Sequence, residues 1–209
     1  MNQFWNQRFA GDDHKYGTAA NAFLREQATL LAPASRVLLP GEGEGRNSVW
    51  LAGQGHLATA MDSASVGLAK TARWAAANGV AVQTVCADLV DWTPPAASFD
   101  AVALIFVHLP SAWRRNAHRR LAAALVPGGW LLLECFHPRQ LGRSSGGPRD
   151  ADMLVSIAQL RGDFRPLCDE HLAWEGEVTL DEGSGHQGPA IVTRWVGRRK
   201  AASAAAPAA

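Results

Sequence analysis

Residues 37 to 47, VLLPGEGEGRN, constrain the possible folds of this chain more than any other stretch. Val37, Leu38 and Leu39 make a short aliphatic run of the kind that forms a buried strand. The run breaks into Gly41, Gly43 and Gly45, and the segment that follows, NSVWLAGQG, reads as a helix. Open α/β sheets build nucleotide-sized sites at such strand–glycine–helix junctions. Glycine allows positive φ and close approach of a ligand to the main chain. The start of the helix leaves N–H groups without intrahelical partners. Counted from Gly41 the pattern is G-x-G-x-G, and Arg46 stands where a dinucleotide fingerprint carries its third glycine or alanine.

The rest of the chain alternates around this junction. Strands are expected at 36–40, 57–61, 81–87, 100–106 and 130–136, with helices at 47–53, 65–78 and 111–125 between them. Such alternation implies parallel strands joined by right-handed crossovers. Pro127-Gly128-Gly129 is expected to stop a helix ahead of the fifth strand. Upstream, Phe4, Trp5, Arg8 and Phe9 recur at helical spacing, and a second helix is expected from about 20 to 31, with Asn21 near its start. Downstream, HPRQLGRSSGGPRD reads as a loop and ADMLVSIAQL as a helix. HLAWEGEVTL and AIVTRWVG, joined by DEGSGHQGP, read as an antiparallel hairpin closing the sheet edge. One domain over 1–200 is expected, with 1–34 as a helical lid region and 201–209 as a disordered tail.

Composition removes several function classes. Twenty basic residues against nineteen acidic ones give a net charge of +1, so no overall field favours nucleic acid or an anionic membrane. No apolar run is long enough to span a bilayer and the first residues lack a signal-peptide core, which implies a cytoplasmic protein. Cys86, Cys135 and Cys168 are too scattered for a zinc site or a disulfide framework, so no metal is expected. Cys86 and Cys135 lie in apolar runs and read as buried, inert thiols. Arg114-Arg115 and His118-Arg119-Arg120 read as a solvated helix face.

In a parallel sheet, ligands bind outside the carboxyl ends of the strands. The first strand ends in the glycine loop, which nominates Gly41, Glu42, Gly43, Gly45, Arg46 and Asn47 as cofactor contacts. The second ends at Asp62-Ser63, where a carboxylate can accept both hydroxyls of a ribose or cap the next helix. The third ends at Asp88-Leu89, where an acid can accept from an adenine amine or turn its own loop. The fourth ends at Phe106 and His108, and the fifth at His137. An imidazole there can act as general base, orient an acceptor, or simply cap its loop. If the hairpin's first strand runs parallel to the others, Glu182, His186 and Gln187 reach the same rim, unless they form a solvated tip. Tyr16 could close over the site from the N-terminal segment. Without the dinucleotide spacing, this set points to S-adenosylmethionine.

These residues resemble the class I S-adenosylmethionine-dependent methyltransferases. GEGEG at 41–45 is similar to the family's glycine loop, Asp62 to its ribose acid and Asp88-Leu89 to its adenine contact; SFDAVALIF and LVPGGWLLLE are similar to its fourth and fifth strands. GRNSVWLAGQGH resembles the tellurite-resistance methyltransferases and small bacterial relatives of that type. The resemblance implies a Rossmann-like three-layer sandwich with a seven-stranded, mostly parallel sheet and a reversed last strand. It also implies S-adenosylmethionine as cofactor, S-adenosylhomocysteine as product, and a small-molecule acceptor such as a thiol or a chalcogen oxyanion, in a monomer or homodimer. His108 and His186, from their places at the strand and hairpin ends, are the catalytic candidates. The class carries an acidic residue ahead of the first loop glycine; Pro40 stands here, leaving the methionine ammonium to loop carbonyls or to Glu42 or Glu44. The competing readings are an NAD-dependent oxidoreductase and a non-catalytic cofactor-binding or regulatory protein of the same fold.

Overall fold

The computed structural model describes residues 2–201; the expected tail falls almost wholly outside them. Seven strands form one sheet: β1 (Arg36–Pro40), β2 (Leu57–Asp62), β3 (Val82–Cys86), β4 (Phe99–Ile105), β5 (Leu125–Phe136), β6 (Cys168–Glu182) and β7 (His186–Arg199). Their spatial order is β3-β2-β1-β4-β5-β7-β6. Strands β1 to β5 pair in parallel, while β7 runs antiparallel to both β5 and β6. Strand order reverses between β1 and β4, which places the switch point beside the glycine loop.

Helices cover both faces of the sheet, which is why β1 is apolar on both sides: Val37, Leu38 and Leu39 are at most 1% exposed. Helices α2 (Ala22–Gln27) and α3 (Arg46–Gly53) bury Phe23, Leu24 and Leu51 on one face, with α4 (Ser65–Ala77) beside α3. Helices α5 (Ser111–Ala124) and α6 (Ile157–Phe164) bury Leu121, Leu160 and Phe164 on the other. Helix α1 (Asn2–Arg8) packs on α4. This is the expected Rossmann-like sandwich with its last strand reversed.

Several local expectations change. The helix expected over 20–31 stops at Gln27 and tightens to a 3₁₀ turn at Ala28–Leu30. Pro127-Gly128-Gly129 does not separate helix from strand; it forms an irregularity inside β5, between the Phe99–Leu125 and Ala101–Trp130 pairs. ADMLVSIAQL is not one helix. Val155 donates to the Phe136 carbonyl, and α6 starts afresh after Ser156, whose capping box with Gln159 supplies the new N-terminus. The hairpin closes the sheet edge as expected, with β6 outermost and β7 between β5 and β6, where Val192, Trp195 and Val196 are fully buried.

The basic helix face is only partly solvated. Arg115 and Arg119 are exposed, but Arg114 and His118 are buried against Asp163, at 3.0 and 2.9 Å. Arg120 donates to the carbonyls of Leu89, Val90 and Trp92, bracing the helix-free loop between β3 and β4. Cys86 is exposed, against expectation, because β3 is the outermost strand on that side of the sheet; Cys135 and Cys168 are buried. Among the described residues no helix is long and apolar enough to cross a membrane, and no cluster of His, Cys, Asp or Glu could hold a metal.

Candidate functional site

The site is organised around the turn from β1 into α3. Gly41, Gly43 and Gly45 all have positive φ. Gly45, the N-cap of α3, has φ +94°, and a Cβ there would lie 2.7 Å from the Thr71 hydroxyl. Glu42 turns back over the helix start, where Oε1 accepts from the N–H groups of Asn47 (2.9 Å) and Ser48 (2.6 Å). Burial pushes its carboxyl up to about 7, against the pull of these N–H donors. The α3 N-terminus, where a dinucleotide would seat its pyrophosphate, therefore already holds an anion supplied by the chain.

Glu44 faces the other way. Its carboxylate is 2.7 Å from the Lys70 ammonium and accepts the Lys15 N–H at 2.7 Å. Of the two glutamates expected to stand in for the acid missing at Pro40, Glu44 is thus engaged by a cation. Asp62, at the end of β2, accepts from Gly43 N–H at 2.9 Å and from Ala64 N–H at 2.8 Å. Burial raises its pKa against those bonds. It does not cap α4: the Val66 N–H receives its cap from Asn6 of α1, at 3.0 Å. Ser63 is half-buried beside it. Asp88 bonds the Val90 N–H at 2.9 Å, a local turn, while Leu89 is buried and offers its carbonyl to Arg120.

A second cluster lies at the ends of β4 and β5. Phe106 has φ +54°, a costly conformation for an aromatic residue, and donates its N–H to the Glu134 carbonyl at 2.7 Å. Its ring packs 4.7 Å from Phe136 and 4.5 Å from His186, centroid to centroid. His108 stacks on Phe136 at 5.5 Å, and its Nε2 accepts the Phe136 N–H at 3.1 Å. Burial pushes the His108 pKa down to about 3, so the ring is neutral with one nitrogen occupied. His137 lies apart, with Nδ1 capping the turn at Arg139.

The hairpin after β6 reaches the same rim: Glu182 and His186 at its two ends are buried, while Ser184 at its tip stays exposed. His186 is 7% exposed, packs on Tyr16 at 4.6 Å, and has an Nδ1 with no hydrogen-bond partner. Glu182 Oε2 stands 3.8 Å from that nitrogen. Burial alone would raise the Glu182 carboxyl, but His186 and Arg46 hold it down at about 2. Arg46 reaches it at 2.7 Å and Asn21 at 2.8 Å. Gln187 is exposed.

Residues 37–129 match a methyltransferase domain family. Among solved structures, one described as "Conversion of a Disulfide Bond into a Thioacetal Group during Echinomycin Biosynthesis" superposes with a TM-score of 0.77 at 18% identity, covering 96% of this chain and 92% of that one. TehB from Haemophilus influenzae gives 0.71 at 16% identity, over 95% and 67%. The N-methyltransferase NodS from Bradyrhizobium japonicum WM9, in complex with S-adenosylhomocysteine, gives 0.69 at 16%, over 95% and 97%. No curated protein matches in sequence. The fold is that of the class I methyltransferases.

Within that fold, three features of the site escaped sequence reasoning. Asn21 reads only as a helix cap, and it does cap Leu24 N–H at 2.8 Å. Its amide also donates to Glu134 (2.6 Å) and Glu182 (2.8 Å), tying β5 to β6. The signal for Glu134 was a lone carboxylate in the run LLLE; it is fully buried and held by Arg194 at 2.6 Å. Gly146 and Gly147 read as loop. A Cβ at Gly146 would lie 2.6 Å from His186, and one at Gly147 2.9 Å from Phe136, so the SGGP segment closes directly on the aromatic cluster.

Proposed function

We propose that this protein is an S-adenosylmethionine-dependent methyltransferase acting on a small molecule in the cytoplasm. The observation that carries the reading is the glycine loop whose helix N-terminus is closed by Glu42. Glu42 occupies two of the N–H groups that a pyrophosphate would need there, whereas a ligand with a positive sulfonium and ammonium gains an acidic neighbour. The donor set fits S-adenosylmethionine. Gly41, Gly43 and Gly45 let it approach the main chain, with Arg46 and Asn47 framing the loop. Asp62 and Ser63 would hold the ribose, Asp88 and Leu89 the adenine, and Phe106 would stand on the acceptor side.

When bound, the cofactor supplies a methyl group activated by positively charged sulfur. The chain's contribution is alignment of acceptor and methyl carbon, the largest factor in such an in-line displacement. His108 and His186 stand on the acceptor side. His108, neutral and bonded through Nε2, orients the rim, while His186 is the nitrogen base. Burial pushes the Cys135 thiol well above its usual range, so it is not a nucleophile. A thiol and a selenium or tellurium oxyanion are the acceptors to test first. The protein works as a monomer or homodimer.

The test is turnover with methyl-tritiated S-adenosylmethionine against thiols and chalcogen oxyanions, scored by release of S-adenosylhomocysteine above an acceptor-free control. Labelled product, reduced at least tenfold by Asp62→Ala, is expected. Tight cofactor binding without transfer to any acceptor would favour the non-catalytic binding protein instead.

A further inference from the structure

Helix α4 carries a stripe of side chains with no part in the cofactor or acceptor assignments. Lys70, Trp74 and Ala77 recur at helical spacing, with Arg73 beside them, and the N-terminal segment crosses this stripe at Asp12 and His14. Together these residues line a cavity of about 380 Å³, within the size range of small-ligand pockets.

The cavity wall is aromatic. Trp74 is half-buried, the His14 ring lies 4.8 Å from it at a tilt of 59°, and Ala77, one turn on, is too small to cover the indole. His14 Nε2 is buried and has no hydrogen-bond partner among the described residues. Such atoms are rare in folded proteins, and each calls for a partner from outside the chain or for an ordered water.

Hydrogen-bond donors predominate in the lining. Lys70, 7% exposed, donates to Glu44 at 2.7 Å and to the Asp13 carbonyl at 3.0 Å, which leaves one of its three N–H groups. Arg73 is exposed, and its guanidinium makes no ion pair or hydrogen bond among the described residues. Asp12, also exposed, is the one acidic side chain of the lining. A cationic ligand would meet Lys70 and Arg73 head on. An aliphatic anion would leave the indole face uncovered.

We propose that this cleft is a second small-molecule site, for a planar aromatic carrying a single anionic group such as a carboxylate. The ring lies against Trp74, and the anion takes the Arg73 guanidinium, the spare N–H of Lys70 and His14 Nε2–H. Lys70 also holds Glu44, so the occupied cleft borders the glycine loop without entering it. None of the lining residues is placed on cofactor or acceptor, so the site stands whether or not the chain transfers methyl groups.

The test is calorimetric titration of the full chain with 2-naphthoate. Its uncharged counterpart 2-naphthol and the non-aromatic anion cyclohexanecarboxylate are the comparisons, and each titration is repeated with excess S-adenosylhomocysteine. The expected result is one site for 2-naphthoate, about tenfold or more tighter than either comparison and not displaced by S-adenosylhomocysteine. Arg73→Ala, a change on an exposed helix face, should weaken 2-naphthoate about tenfold by removing the charge-assisted pair. Trp74→Leu should weaken it about fivefold through the lost ring face. Asp12→Asn should tighten it about twofold, since the one like charge is gone. No binding of 2-naphthoate, equal binding of cyclohexanecarboxylate, unchanged affinity in Arg73→Ala or weaker affinity in Asp12→Asn would overturn the site. Displacement by S-adenosylhomocysteine would put the probe in the cofactor pocket and overturn it as well. Failure of S-adenosylhomocysteine itself to bind would instead count against the methyltransferase reading and leave the cleft to be decided by the variants.

Discussion

In the proposed reading Glu42 is the acidic neighbour of the cofactor's positive groups, and its pKa of about 7 makes it sensitive to pH in the working range. Above pH 7 the carboxylate is ionised and attracts the ligand's sulfonium and ammonium; below it the charge is lost. Affinity for S-adenosylmethionine should therefore fall as pH drops from 8 to 6, by up to about tenfold per unit, the limit for a single linked proton. In Glu42→Gln, titrations across that range should be flat. The glycine at 146 gives a second residue-scale test. Its φ of +119° and the 2.6 Å approach to His186 leave no room for a methyl group. Gly146→Ala should destabilise by about 1–3 kcal/mol, seen in urea unfolding, and should reduce turnover more than it weakens cofactor binding.

At the scale of elements, Asn21 and β7 carry the architecture around the site. Asn21→Ala removes a helix cap and leaves Glu134 and Glu182 each short of a donor in a buried setting. A loss of roughly 2–4 kcal/mol is expected from unfolding curves, combining the cap with unsatisfied buried groups. Trp195, fully buried in β7, stacks on Phe164 at 4.9 Å. Trp195→Ala should cost about 3–5 kcal/mol through the cavity it leaves. The strands on either side of the glycine loop were legible in the sequence because their apolar runs are buried on both faces and their lengths are set by the crossovers. The place of Asp62 at the end of β2, beside the glycine loop, was legible too, since it follows from where the second apolar run stops. β7's interior position was not, because a hairpin pattern fixes which strands pair but not which of them lies against β5. The Asn21–Glu134–Glu182 contacts join residues more than 100 positions apart. No local period encodes such a meeting, and only the lone glutamate in LLLE hinted at it.

The molecule as a whole holds buried carboxylates of two opposite kinds. Glu182 and Asp163 are held down at about 2: burial acts to raise both, but His186 and Arg46 outweigh it for the first, and His118 and Arg114 for the second. They contribute stability above the ordinary carboxylate range, lost as pH falls through 4 towards 2. Glu42 and Glu134 are raised by burial. A raised acid favours the folded state while protonated, so that contribution is lost as pH climbs from 4.5 to about 7. Buried His108, neutral in the fold, acts the opposite way, adding stability as pH climbs to about 6.5. Denaturation midpoints measured from pH 3 to 8 should therefore rise in Glu42→Gln relative to wild type as pH climbs from 4.5 to about 7. The central claim is that the glycine loop takes S-adenosylmethionine and not a dinucleotide. Calorimetric titration of wild type and Asp62→Ala with S-adenosylmethionine, S-adenosylhomocysteine and NAD tests it most directly. Micromolar binding of the two sulfur ligands, lost in the variant and absent for NAD, is expected. Binding of NAD alone, or of none of the three, would contradict it.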